Sequence, residues 1–183
     1  MRRKRPDPPP LAEPQAGDNP ADGGFQSMDQ MANWVRFADT KATILTAGLG
    51  VVLTMLMTNA QTVASAMSKG CPEAMIVGGL AAAALLSFAW TLFWLIRAIG
   101  PQSKVQYTEL NRFAWPSLLR ATSEQLVEHA SRVDVGTDAW QQVLDLSTLA
   151  NRKFDACGKA VRGFAVLVLF GVACVAVAVG FTV

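Results

Sequence analysis

The sequence predicts an all-α membrane protein with three transmembrane helices and a small helical cytoplasmic segment between the second and the third. Three observations predict it. Apolar residues make up 51% of the 183-residue chain and charged residues 16%, against roughly 45 to 50% and a quarter in a soluble domain. The runs Ala42 to Thr58, Met75 to Ile96 and Gly163 to Val183 carry no charge, and each is close to the ~20 residues that cross ~30 Å of hydrocarbon as a helix. Basic residues gather on one side of these runs, in the chain before the first and between the second and third. The length fits one domain.

Residues 1–24, "MRRKRPDPPPLAEPQAGDNPADGG", are rich in Pro, Gly and charge. They bury too little to offset the entropy of ordering and are expected to form a disordered cytoplasmic tail. The four basic residues at its start suit either a topogenic signal or contact with anionic lipid or nucleic acid.

Order is expected from Ser27, because "SMDQ" has capping-box spacing: the serine hydroxyl accepts an early amide and Gln30 reaches back. Residues 27–60 then form an amphipathic entry helix plus the first span. Met28, Met31, Val35 and Ala38 lie along one face. Trp34 and Phe37 extend the apolar side into the interface, where aromatics settle.

An external loop (61–74) and a second span (75–97) follow. Within the first span Ala42, Thr46, Gly50, Thr54 and Thr58 recur every fourth residue; within the second, Gly79, Ala83, Ser87 and Thr91 do so. Small stripes let helix backbones approach closely. They fit an intrachain hairpin, a contact with other copies, or chance spacing in Ala-rich helices.

Residues 98–162 form the water-facing segment, too small for a large core of its own. "TSEQ" at Thr122 to Gln125 repeats the capping box, and Leu126, Val127, Ala130 and Val133 share one face of the helix it starts. "VGTD" is expected to end that helix. From Asp138 a second helix carries Trp140, Val143, Leu146, Ala150 and Phe154 at spacings of three or four and runs toward the third span (163–183) as a stiff lever. That last span, rich in Val with fewer small positions in register, is expected to face lipid more.

Arg2, Arg3, Lys4, Arg5, Arg36 and Lys41 precede the first span, and Arg97, Lys104, Arg112, Arg120, Arg132, Arg152, Lys153, Lys159 and Arg162 fall around the second loop; only Lys69 lies opposite. Basic flanks resist export, so the N-terminus and 98–162 are expected in the cytoplasm and the C-terminus outside. The rival reading, a signal peptide cleaved at "ASA" (Ala64 to Ala66), requires a short basic start, whereas a long Pro-rich leader comes first.

Catalytic chemistry has little support. The single histidine, His129, lacks metal-ligand spacing and is expected as a solvated helix residue; Cys71, Cys157 and Cys174 form no CxxC. Cys71 alone faces the oxidising side, as a free thiol or as one half of an interchain disulfide. No phosphate-cradling glycine motif is present, and no ionisable carboxylate, amine or imidazole lies within a span, as a coupled transporter usually requires.

Two motifs mark cytoplasmic membrane entrances: "ADTKA" at Ala38 to Ala42 and "ANRKF" at Ala150 to Phe154. Either Lys41 and Lys153 snorkel to lipid phosphates while Asp39 pairs with a basic neighbour, or these groups form a polar collar whose charge calls for a specific partner, such as a bound anion. Two clusters have the cation, aromatic ring and amide that a pyrimidine nucleotide needs: Arg112 with Asn111, Phe113 and Trp115, and Asn151 with Arg152 and Lys153. Each equally suits a basic interfacial patch.

The stretches "NWVRFADTKATILTAGLGVVL", "LLRATSEQLVEHASR" and "VLDLSTLANRKFDACGKAVRGF" resemble the transmembrane effectors of bacterial Pycsar anti-phage systems, over nearly all of the chain after the tail. The resemblance implies a two-gene defence in which a uridylate or cytidylate cyclase makes cyclic UMP or cyclic CMP on infection. The effector then impairs the inner membrane, and the cell dies before the phage matures. By position, the family's Asp-x-Lys-Ala falls on Asp39, Lys41 and Ala42, and its later Lys-aromatic on Lys153 and Phe154; "NRFAWP" replaces an aromatic-rich stretch after the second span. The implied partners are the cyclic nucleotide, the cyclase, the bilayer and further copies of the chain, with no cofactor and no nucleic-acid polymer. A membrane anchor for a soluble partner is the alternative.

Overall fold

The computed structural model describes residues 20–100 and 110–182. Arg2 to Arg5, Lys104 and the tail before Pro20 lie outside them. The described residues form α1 (Pro20–Thr58), α2 (Ala60–Met67), α3 (Cys71–Ile99), α4 (Trp115–Leu118), α5 (Ser123–Arg132) and α6 (Val135–Thr182), with no strand among them. Three helices are long and apolar enough to cross a membrane, within Gly23–Thr58, Cys71–Ile99 and Val135–Thr182. The protein is an all-α membrane protein. At 1.5 Å per residue, α1 and α6 reach about 58 and 72 Å, well beyond ~30 Å of hydrocarbon, so each carries a long extension past its apolar part.

α6 is the centre of the bundle. Its buried positions Ala156, Ala160, Gly163, Leu167, Gly171, Cys174 and Ala178 step by three or four residues, the repeat of a helix seam. α1 runs parallel to it: Gly24 meets Ala139, Gly48 meets Phe164, and Leu56 meets Gly171. α3 runs antiparallel, with Trp90 and Thr91 on Gly163 and the Val77 carbonyl beside Cys174 Sγ. α1 and α3 pack mainly on α6 rather than on each other. This corrects the expectation that the last span faces lipid. Its large residues Val161, Val166, Leu169, Val172 and Val179 point outward, while its small ones admit two neighbours at close range.

The small stripe of α1 points the other way. Ala42 is buried, yet Thr46, Gly50, Thr54 and Thr58 are exposed, and α1 packs through Leu45, Leu49, Val52 and Leu56. Thr46 and Thr54 donate to the carbonyls of Ala42 and Gly50, each at 2.9 Å, so their hydroxyls are satisfied within the helix. On α3, Gly79 is exposed, Ala83 and Ser87 are half-buried, and Thr91 is fully buried.

Three local expectations also change. Ser27 lies inside α1 rather than at its cap, because Gly24 packs on Ala139 and Trp140 and tertiary contact carries the helix back. The segment 61–74, expected as an external loop, holds most of α2, whose Ala66 joins Val77, Cys174 and Ala178 in a second small core; nearby Lys69 Nζ donates to the Phe181 carbonyl at 2.6 Å. "VGTD" opens α6 instead of ending α5: the Asp134 carboxylate accepts from Gly136 N–H at 2.8 Å, an N-cap contact. The Thr122 capping box forms as the spacing predicts, with Gln125 N–H to Thr122 Oγ1 at 3.3 Å and Thr122 N–H to Gln125 Oε1 at 3.0 Å. α6 then runs through Gly158 to Thr182 without a break.

Candidate functional site

Because α1 and α6 are parallel, both enter the apolar zone from the same end, and their two threshold motifs come side by side. Lys153 is 8% exposed, and its Nζ donates to Asp39 Oδ1 at 2.5 Å. A buried ammonium needs such a partner, since an uncompensated charge there costs several kcal/mol. Lys153 therefore does not snorkel to lipid. The Asp39 side chain stays 44% exposed.

Lys41, two residues after Asp39 on α1 and so about 200° around the helix from it, is exposed. Its Nζ lies 4.5 Å from the Phe37 ring centroid and 5.5 Å from that of Phe154, within cation–π range. Trp34 stands edge-on to both rings, at 6.1 Å in each case. Asn151 and Arg152 are exposed on α6, whereas Lys153 is turned inward. Three successive helical positions point about 100° apart, so these three side chains do not act as one cluster.

On the α3 side of the same end, Arg97 lies over Phe93 and Trp94, at 5.9 Å from each. Lys159 sits 4.2 Å over Trp94 and bonds Asp155 at 2.7 Å. Cations and aromatics thus ring the threshold, as at a membrane interface.

A second polar centre lies where α6 begins. Asp138 accepts from Arg112 Nε at 2.6 Å and lies 3.0 Å from His129 Nε2; Arg112 also donates to the Val133 carbonyl at 2.7 Å. Asn111, 3% exposed, donates to the Asp138 carbonyl at 2.9 Å and accepts from Phe113 N–H at 2.8 Å. Phe113 packs edge-on against Phe25 at 5.5 Å, and Trp115 is exposed. The network pins the chain before α4 and the end of α5 onto α6. His129 is thus a member of it, with a side chain 16% exposed, not the solvated residue expected. Its partner lies across the α5–α6 turn, and no spacing rule marks that contact.

The two centres are distinct, since about 22 Å of α6 separates Asp138 from Lys153. On α5, which carries His129 into the second centre, Glu124 lies in the first turn, and its carboxyl is held below its ordinary value by its own backbone N–H and by the Thr122 and Ser123 hydroxyls. Cys71 is exposed and Cys157 and Cys174 are buried, all as free thiols. Among the described residues no group of three or more His, Cys, Asp or Glu is placed to hold a metal.

No curated protein and no solved structure matches this chain. The model of the Pycsar effector protein domain matches residues 25–182, from the turn of α1 whose Phe25 meets Phe113 to the end of α6, and on that match the chain belongs to the Pycsar effector family.

Proposed function

We propose that this member of the Pycsar anti-phage defence is a non-enzymatic effector switched on by cyclic UMP or cyclic CMP from a partner uridylate or cytidylate cyclase. It sits in the inner membrane with its N-terminus and residues 98–162 in the cytoplasm and its C-terminus in the periplasm. Once liganded, it impairs the membrane and the cell dies before the phage matures. The observation that carries this reading is the Asp39–Lys153 pair. It ties the two longest helices together at the level where their water-facing extensions become membrane spans.

The ligand acts at the cytoplasmic end by favouring one placement of α1 against α6, and differential affinity for two placements supplies the shift. Of the residues singled out from sequence, Asn151 and Arg152 remain open to a ligand, Lys153 holds the helices, and Arg112 with Phe113 fastens the segment around Trp115. The outward stripe of Thr46, Gly50 and Thr54 and the open face at Gly79 are where copies meet, with Ala83 and Ser87 behind it. Dye-loaded liposomes carrying the purified protein test this. Release is expected on adding one of the cyclic pyrimidine nucleotides, and its absence with both at every protein density refutes the mechanism.

A second reading is favoured by the apolar surface of the water-facing end, where Trp115, Leu119, Val127, Trp140 and Leu144 are exposed. Such a surface suits a soluble partner held at the membrane without damage. Co-expression with an active or an inactivated cyclase separates the two, because only the effector kills in a cyclase-dependent way.

A further inference from the structure

Four cations at the water-facing end are committed to acids: Arg112 to Asp138, Lys153 to Asp39, Arg132 to Glu128 and Lys159 to Asp155. Lys41 differs. It is exposed, and the ion pairs among the described residues do not include it. It is nonetheless held in place by two rings, Phe37 from its own helix and Phe154 from α6. Trp34 and Phe37 are 45% and 47% exposed, so aromatic surface beside this cation is open to a ligand. Asn151, exposed on α6, lies one turn before Phe154 and on the same flank. Asp39, two residues before Lys41 on the same helix, is paired with Lys153 and opposes an incoming anion less than a free carboxylate does.

We propose that Lys41, Trp34, Phe37, Phe154 and Asn151 form the binding place of a nucleoside cyclic monophosphate on the α1–α6 seam, which deepens and rests on the function proposed above. The ammonium meets the single charge of the phosphodiester. The open aromatic surface takes the base, as stacking platforms for unpaired bases do. The Asn151 amide offers both a donor and an acceptor to the base edge, where uracil and cytosine differ. Because the site draws on both helices, a ligand bound there favours one α1–α6 placement, which is the differential affinity a switch requires.

A lipid headgroup carries the same phosphodiester monoanion, so the test has two arms. In the first, equilibrium binding of cyclic UMP and cyclic CMP is measured on the full chain in neutral phosphatidylcholine nanodiscs. Lys41→Gln is expected to weaken binding roughly ten- to hundred-fold, and Trp34→Ala roughly five- to hundred-fold. Asn151→Ala is expected to shrink the preference between the two nucleotides, and Arg120→Gln to stay within about twofold of wild type. Trp34 and Asn151 are exposed, so those variants report even where Lys41→Gln fails to insert. Wild-type binding that all three variants leave unchanged overturns the site while the functional reading stands. No binding by wild type overturns that reading, and the site with it. In the second arm the nanodiscs contain anionic phosphatidylglycerol. Retention of that lipid through Lys41, with nucleotide binding abolished in its presence, makes a headgroup the occupant and overturns the nucleotide assignment.

Discussion

α3 and α6 approach closely at Gly163. A β-carbon there would stand 2.6 Å from Trp90 Cδ1 and 2.7 Å from Thr91 Oγ1, where ordinary contact begins at 3.4 Å, so the helices would have to part by most of an ångström. Thr91 cannot yield: it is fully buried and its hydroxyl is tied to the Ser87 carbonyl at 2.7 Å. Trp90 yields only by leaving its edge contact with Trp94 at 5.9 Å. Overpacking of this kind costs about 1–3 kcal/mol, partly offset by the ~1 kcal/mol by which Ala exceeds Gly in a helix. Gly163→Ala is therefore expected to destabilise by up to about 2 kcal/mol and Gly163→Val by more. Gly50→Ala is the control, since a β-carbon there meets nothing within 4 Å, and it is expected to be neutral or to stabilise by up to ~1 kcal/mol. SDS titration of the micelle-bound protein, followed by circular dichroism and Trp fluorescence, reads both. A Gly163→Ala midpoint above that of wild type, or a Gly163→Val midpoint equal to or above it, refutes the close-approach reasoning.

Other substitutions test the polar centres. Asp39→Asn leaves Lys153 buried without its counter-charge and is expected to cost about 1–3 kcal/mol, less than the ~3–5 of a fully buried pair because Asp39 is half-exposed. Lys153→Met on that background is expected to recover part of the loss, and strict additivity in the same titration argues against the pair. Asp138→Ala strands Arg112 and His129 together, and backbone amides of residues 110–134 are expected to exchange faster by about 100-fold while those of the spans stay protected; unchanged exchange refutes the network's role. Thr122→Ala is expected to fray the start of α5 by about 1 kcal/mol without moving the spans. Glu124 titrates lower in the folded chain than in the unfolded one, so its contribution is present above the ordinary carboxylate range and is lost as pH falls through the folded value. NMR shifts of the α5 amides on acidification check that sign, and a Glu124 midpoint above the ordinary range contradicts it.

The spans are legible in the sequence because lipid excludes charge, so a charge-free run of the right length admits few other readings. Which span lies inside is far less legible. Lipid tails are as apolar as leucine, so burial between membrane helices leaves no mark in hydropathy. The signal that does exist is size, read over both sides of each helix. Small residues on the first span pointed to packing there, yet Thr46 and Thr54 face outward with satisfied hydroxyls, while Ala156, Ala160 and Gly163 form the seam that holds two neighbours. Capping shows a similar contrast. The box at Thr122 follows residues outside any helix and forms, whereas the one at Ser27 is overridden by the contact of Gly24 with Ala139 and Trp140.

The resemblance of "ADTKA" to "ANRKF" marked two thresholds without pairing the acid of one with the base of the other. Parallel helices supply the missing step, because equivalent entrances then lie at one depth. That pairing also fixes how α1 sits on α6. Sliding α1 by one turn, about 5.4 Å, would bring Val35 or Thr43 to the level now held by Asp39, and neither can neutralise an ammonium. Lys153 would then be buried without a counter-charge, at a cost of several kcal/mol. Contacts such as Leu56 on Gly171 and Phe164 on Gly48 are between apolar groups, and a slipped helix replaces them with others of similar kind. The ion pair is not replaceable in that way, and it is therefore the contact that specifies the α1–α6 register.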